Sequence, residues 1–196
     1  MKKKIRIEIR QDDYPSSPRE WDNIGIMTCS HPNYNLSDEG CEGGEVPDDA
    51  LIVLPLYLYD HSGITMKTTP FGDSWDSGQV GFIYATKESI QRMQGNVEIT
   101  PELLERVKGY LKSEVKIFDD YLTGNVWGFA IFDGEEVLDS CYGFIGDIDD
   151  SGVMEEAKSI AQWYVDEARE KLKKQIKARA PLDRRVIIPT IEVKEA

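Results

Sequence analysis

Two apolar, β-rich runs at residues 51–59 and 79–85 bracket a segment dense in Asp, Ser, Gly, His and Trp, and nothing else in the chain constrains the fold as tightly. Runs of this length, bounded by turn-forming residues, read as buried strands, with a short strand at 64–68 between them. The polar residues Asp60, His61, Ser62, Asp73, Ser74, Asp76 and Ser77 then fall at strand ends. There a scaffold holds side chains rigidly and still leaves them accessible. This is the layout of a site, but it matches no reaction motif.

The flanking chain follows recognisable periods. Residues 4–10 alternate Ile5, Ile7 and Ile9 with charged neighbours, the pattern of a half-buried strand. The same stretch lacks the continuous apolar region of an export signal. A short strand is expected at 24–29, then a polar, Gly- and Asp-rich loop at 30–47. Thr86 caps a short helix at 87–94, and Thr100-Pro101-Glu102 opens a longer one. Leu104, Val107, Leu111, Val115, Phe118 and Leu122 mark the buried face of that longer helix. Asp133-Gly134 between β-rich segments predicts a hairpin turn. An acidic loop at 142–152 leads through Ser151 or Asp150, as cap, into a helix at 153–178. Pro181 ends that helix, and 185–193 reads as a last strand, with Pro189 suggesting an edge. Strands cluster instead of alternating with helices, which predicts an α+β fold: a mostly antiparallel sheet with two long amphipathic helices on one face. A single domain over 1–196 is expected, with an acidic loop insertion at about 30–49 and a dispensable tail after about 193.

Composition limits the function classes. With 40% hydrophobic and 10% aromatic residues the chain is a folded protein. It has no apolar run of about 18 residues, so no membrane span is expected. Three cysteines, an odd count at irregular spacing, argue for a reducing cytosol over a disulfide framework. The formal charge is −13, which opposes direct binding to nucleic acid. The charge is also unevenly placed. Residues 11–50 carry ten acids against one base, Arg19, and residues 133–156 carry nine acids with no Lys or Arg. Residues 169–185 hold eight bases and two acids. Acidic surfaces and a basic pole follow.

Candidate chemistry divides three ways. Cys29, His31 and Cys41 offer metal-ligating atoms, but without the paired spacing of a zinc site; a buried Cys29 at a strand end is the better expectation, and no metal or cofactor is expected. His61 with Cys141, or with Asp76, supplies the parts of a hydrolase or nucleotide-modifying enzyme, provided thiol and imidazole meet. Asp147, Asp149 and Asp150 lack the register of a calcium loop, and helix capping or solvation explains them equally well. Trp75 is the expected exposed aromatic anchor, with Trp127 in the core. Asp38, Glu39, Glu42, Glu45, Asp60, Asp73, Trp75, Asp147, Asp149 and Asp150 are therefore the expected binding residues.

At Tyr59-Asp-His-Ser-Gly-Ile, Trp75-Asp-Ser-Gly-Gln-Val-Gly-Phe-Ile-Tyr, Tyr121-Leu-Thr-Gly-Asn-Val-Trp-Gly-Phe and Asp139-Ser-Cys-Tyr-Gly-Phe-Ile-Gly, the chain resembles a family of small proteins from bacteriophages and other bacterial mobile elements. The likeness covers roughly residues 50–150. The family ties no catalytic residue to any of these positions; it implies a setting, an accessory protein in the cytoplasm of a bacterial host. The expected function is an acidic protein that binds and inhibits a host defence protein or ribonucleoprotein, of anti-CRISPR or anti-restriction type, by presenting nucleic-acid-like charge.

Overall fold

The computed structural model describes residues 4–72, 75–178 and 189–194. In chain order it contains β1 (Lys4–Gln11), β2 (Ile26–Cys29), β3 (Ala50–Asp60), β4 (Ile64–Lys67), β5 (Ser77–Thr86), α1 (Lys87–Gln94), α2 (Pro101–Leu122), β6 (Val126–Asp133), β7 (Glu136–Ile145), α3 (Val153–Lys177) and β8 (Thr190–Lys194). The fold is α+β and mostly antiparallel; the β1–β8 pair is parallel. The strands form two four-stranded sheets instead of one, ordered β7-β6-β1-β8 and β2-β5-β3-β4. Each sheet carries one long helix. The chain accordingly divides into two compact units, Met1–Pro15 with Gly124–Ala196, and Ser16–Thr123. Pro181 and residues 185–188 of the expected strand lie outside the described residues, and 190–193 fall in β8, which is an edge strand as expected.

In the unit spanning Ser16–Thr123, α2 starts where Thr100 accepts the Leu103 N–H at 3.3 Å, with Pro101 at the first helical position. Its buried face is Leu103, Val107, Leu111, Val115 and Phe118, packed on Met27, Leu56, Leu58, Met66 and Ile83. Leu103, not Leu104, leads the stripe. Asp119, near the helix end, accepts from Thr65 Oγ1 at 2.5 Å and from Met66 N at 2.8 Å. The edge of β4 is thus closed by a side chain instead of a further strand. The run at 51–59 is not buried throughout. Leu56 and Leu58 are core, whereas Leu51 and Val53 are exposed, because successive residues of a strand face opposite sides of the sheet.

In the other unit, α3 presents Val153, Ala157, Ala161 and Val165 to Ile5, Ile7, Ile9, Phe129 and Ile131. The small alanines let the helix approach the sheet closely. The β6–β7 turn is Gly134-Glu135, one residue later than expected, because Asp133 pairs with Glu136. Gly134, at φ 66°, takes the first central position, where that turn needs a left-handed residue. β7 runs on to Ile145, so the acidic loop begins later than Tyr142. Gly152, at φ 82° and without a side-chain cap, holds the start of α3 in place of Ser151 or Asp150.

Gly81 lies in the centre of its sheet, paired with Cys29 on one side and Leu56 on the other. A Cβ there would meet the Thr28 carbonyl oxygen at 2.0 Å, whereas at Gly78 nothing lies within 4 Å. Gly81→Ala is expected to cost about 3 kcal/mol by urea denaturation, the upper range for overpacking. Gly78→Ala should stay within about 0.5 kcal/mol of the parent protein.

Candidate binding cleft at the His61–Asp76 pair

β3 ends at Asp60 and β5 begins at Ser77, and the two strands bring their polar ends together. Tyr59 pairs with Ser77, and the Asp60 N–H donates to the Asp76 carbonyl at 2.8 Å. Beyond Asp60 the chain turns tightly, with Ser62 left-handed at φ 58° and His61 N donating to Gly63 O at 3.1 Å. This turn carries the imidazole back, so that His61 Nδ1 lies 3.0 Å from Asp76 Oδ2. On the opposite side, Ser30 N donates to Val80 O at 2.8 Å and seats the loop after β2 along β5. His31 then stacks on Tyr34 with ring centroids 4.9 Å apart. The Tyr34 hydroxyl donates to Asp60 Oδ1 at 3.4 Å. The result is an open cleft of about 430 Å³, lined by His31, Asp60, Trp75, Asp76, Ser77 and Gln79. Trp75 is 94% exposed at its rim. Asp73 lies outside the described residues.

The pair has one clear chemical capacity. A carboxylate on Nδ1 fixes the imidazole tautomer and orientation and leaves Nε2 to exchange a proton. Burial first, and the nearby Asp60 second, push the Tyr34 hydroxyl above its ordinary value, so it remains a phenol donor. Within its own unit, His61 has Asp76 and not Cys141 as its partner. Cys141 belongs to the other compact unit, on β7, where its Sγ lies 3.9 Å from the Tyr142 carbonyl as a weak donor. The metal-ligating trio is also accounted for singly. Burial, reinforced by Asp38, pushes the Cys29 thiol up to about 12. His31 is stacked on Tyr34, and Cys41 lies near Tyr84, whose hydroxyl is raised by burial first and by Cys41 second. Among the described residues, no group of three or more His, Cys, Asp or Glu side chains is placed to hold a metal ion.

Asp38 requires a correction. Instead of an accessible binding acid it is half of an internal clamp. Arg19 Nε and Nη2 donate to its two carboxylate oxygens at 2.9 and 2.8 Å, and Met27 N donates to Oδ2 at 2.9 Å. Arg19 also reaches Gly25 O at 2.8 Å and Glu114 Oε2 at 3.3 Å, and its side chain is only 8% exposed. Glu114 in turn accepts the Ile24 N–H at 2.8 Å. Its carboxyl is held above the ordinary carboxylate range because burial outweighs these donors. The signal for this clamp is in the sequence: Arg19 is the lone base among ten acids. Glu39, Glu42 and Glu45 do lie exposed on the loop, as do Asp147, Asp149 and Asp150 in the other unit. The loop at 147–151 is closed by its own backbone, with Asp150 N and Ser151 N both donating to Asp147 O at 2.9 and 2.8 Å. The contributions of Tyr34 and His31 to the cleft carry no sequence signal, since both sit in an aperiodic loop.

Comparison of the chain with protein-family models, with curated proteins and with solved structures finds no match.

Three expectations follow from this chemistry. Arg19→Met should lose about 3 kcal/mol in urea denaturation, because it strands two half-buried carboxylates. The Glu114 carboxyl is raised above 4.5 in the fold, so the native state holds the extra proton. Its contribution is full below pH about 4.5 and is lost as pH rises through the folded value. Glu114→Gln should therefore gain on the parent protein as pH climbs from about 4.5 towards 7, read as the difference in urea midpoints. With a thiol-reactive disulfide reagent at neutral pH, exposed Cys141 should react fast and Cys29 only upon unfolding.

Proposed function

We propose that this protein acts by binding: it docks on the basic, nucleic-acid-contacting face of a protein partner and excludes that partner's own ligand. The observation that carries the reading is Trp75, 94% exposed beside the carboxylates of Asp60 and Asp76, in a chain of net charge −13. An exposed tryptophan is the residue type that most often anchors an interface. Exposed carboxylates on Glu39, Glu42 and Glu45 of the same compact unit add the long-range attraction that speeds encounter with a basic partner. The likeness to mobile-element proteins makes a bacterial defence nuclease, working on DNA or RNA in the host cytoplasm, the partner class to test. Among the described residues no helix is long and apolar enough to cross a membrane.

A second reading rests on the 3.0 Å His61–Asp76 contact: general acid–base hydrolysis of a small substrate in the same cleft. His61→Ala separates the two. It should abolish hydrolysis under the second reading and, by loosening Asp76, only weaken inhibition under the first.

The direct experiment titrates the protein into cleavage assays of purified CRISPR effectors and restriction nucleases. Inhibition is expected, weakened roughly tenfold by Trp75→Ala and by joint charge reversal at Glu39, Glu42 and Glu45. It should also fade as salt rises from about 50 to about 300 mM, as screened attraction demands. Failure to inhibit any nuclease of these classes, or inhibition indifferent to both variants, would overturn the proposal.

A further inference from the structure

We infer that the cleft between the Ser30–Asn35 loop and the ends of β3 and β5 is a receptor for one guanidinium group, an arginine side chain presented by the partner. The inference rests on the binding reading above and names the group the cleft takes.

Three features of the lining select the ligand. Asp60 and Asp76 both line the cleft, one from each strand end, and the Asp60 N–H to Asp76 carbonyl bond at 2.8 Å holds them together. Two fixed carboxylates reject an anion and favour a cation. Each already has one polar neighbour that orients it: Tyr34 Oη lies 3.4 Å from Asp60 Oδ1, and His61 Nδ1 lies 3.0 Å from Asp76 Oδ2. A carboxylate accepts up to about four hydrogen bonds, so both retain capacity for further donors. Trp75, at the rim of the same cleft, offers the ring type on which guanidinium stacks best. Gln79 and Ser77 add neutral polar atoms to the wall.

Charge alone does not distinguish arginine from lysine, but geometry does. A planar guanidinium presents a rigid fork of N–H donors and a flat face, so it can bridge carboxylates from two strands while lying on an indole. An ammonium is a compact, strongly hydrated point charge and gains less from both. A metal ion is a poorer occupant, since among the described residues no cluster of three ligating side chains exists. The cleft is open to solvent, so it suits the end of a side chain delivered on another protein's loop better than a whole small molecule, which a pocket normally buries over most of its surface.

The test uses the full chain labelled with ¹⁵N and three blocked tripeptides, glycine-X-glycine, with X arginine, lysine or citrulline. Citrulline keeps the shape of arginine and lacks its charge. The arginine peptide should bind with a millimolar dissociation constant and shift the Trp75 indole and His61 imidazole signals, which Trp75→Ala and His61→Ala assign. The lysine peptide should bind several-fold more weakly, and the citrulline peptide should produce no shift. Asp60→Asn with Asp76→Asn should weaken the arginine peptide about tenfold, with backbone signals outside the cleft unmoved, which shows that the variant is folded. Equal binding of citrulline and arginine, equal binding of lysine and arginine, or shifts confined to residues outside the cleft would each overturn the inference. Arginine recognition without inhibition of any nuclease would instead retain this inference and discard the defence-nuclease partner.

Discussion

The antiparallel pairing of β3 with β5 is the constraint on which the cleft depends, and an irregularity in that pairing decides which residues meet. From Ile52 to Leu56, which pairs with Gly81, the strands run in one register; from Tyr57, which pairs with Gln79, they run one residue shifted. Val80 is therefore an extra residue on β5. Its carbonyl is not wasted, because Ser30 N takes it at 2.8 Å from the other side. Had the first register continued, Asp60 would lie opposite Ser77. The bulge moves Asp76 into that place, and the Asp60 N–H to Asp76 carbonyl bond follows. Bulges commonly re-aim side chains beside functional sites. Here one bulge sets two carboxylates at the same end of a sheet and docks the Tyr34 loop next to them.

That loop has its own anchor, and it is electrostatic. The anchor is Arg19, in the 3₁₀ turn Pro18–Glu20 that precedes β2. Its guanidinium ties Asp38 of the acidic loop, Glu114 of α2 and the Gly25 carbonyl into one node. Bidentate geometry to Asp38 is what makes such a partly dry pair tolerable, since each oxygen keeps a donor after leaving water. The acidic character of residues 11–50 is thus of two kinds. Asp38 is consumed internally and orders the loop, whereas Glu39, Glu42 and Glu45 remain in solvent, where their charge acts at a distance.

Local chemistry explains which parts of this architecture are legible from the residues alone. Thr86 and Thr100 with Pro101 announce their helices because capping and proline geometry are satisfied within four residues. The Ile5, Ile7, Ile9 alternation declares β1 for the same reason, as its period needs no partner to be read. What stays hidden is long-range. The split into two sheets depends on β1 pairing with β6 and β8, more than a hundred residues away, and no periodicity encodes a partner. The one-residue displacement of the Gly134-Glu135 turn and the preference for Leu103 over Leu104 are similar cases, decided by register against a sheet that the helix or hairpin alone cannot reveal. Within the cleft, Asp60, His61, Trp75 and Asp76 stand out by position at strand ends. Tyr34 and His31 do not, because a loop residue is placed by whatever seats the loop, and that is the Val80 carbonyl.

Solvent decides between the two uses to which a histidine–aspartate pair can be put. His61 and Asp76 have side chains 64% and 40% exposed. In water-like surroundings a unit charge pair at about 4 Å is worth only about 1 kcal/mol, against several times that in a partly dry site. Catalysis draws its largest contributions from preorganised dipoles in a water-excluded pocket, and an open cleft does not supply that environment without a lid. Recognition has the opposite requirement. The groups that will meet a partner's cation must be reachable before the encounter, and they become strong only when the partner itself expels the water. Trp75 at the rim is placed to contribute to that exclusion, since an indole laid over a guanidinium covers one of its faces. Under the proposed binding role, exposure in the free protein is a condition of function, and the Asp60 and Asp76 carboxylates would gain their full energy only when a partner covers them.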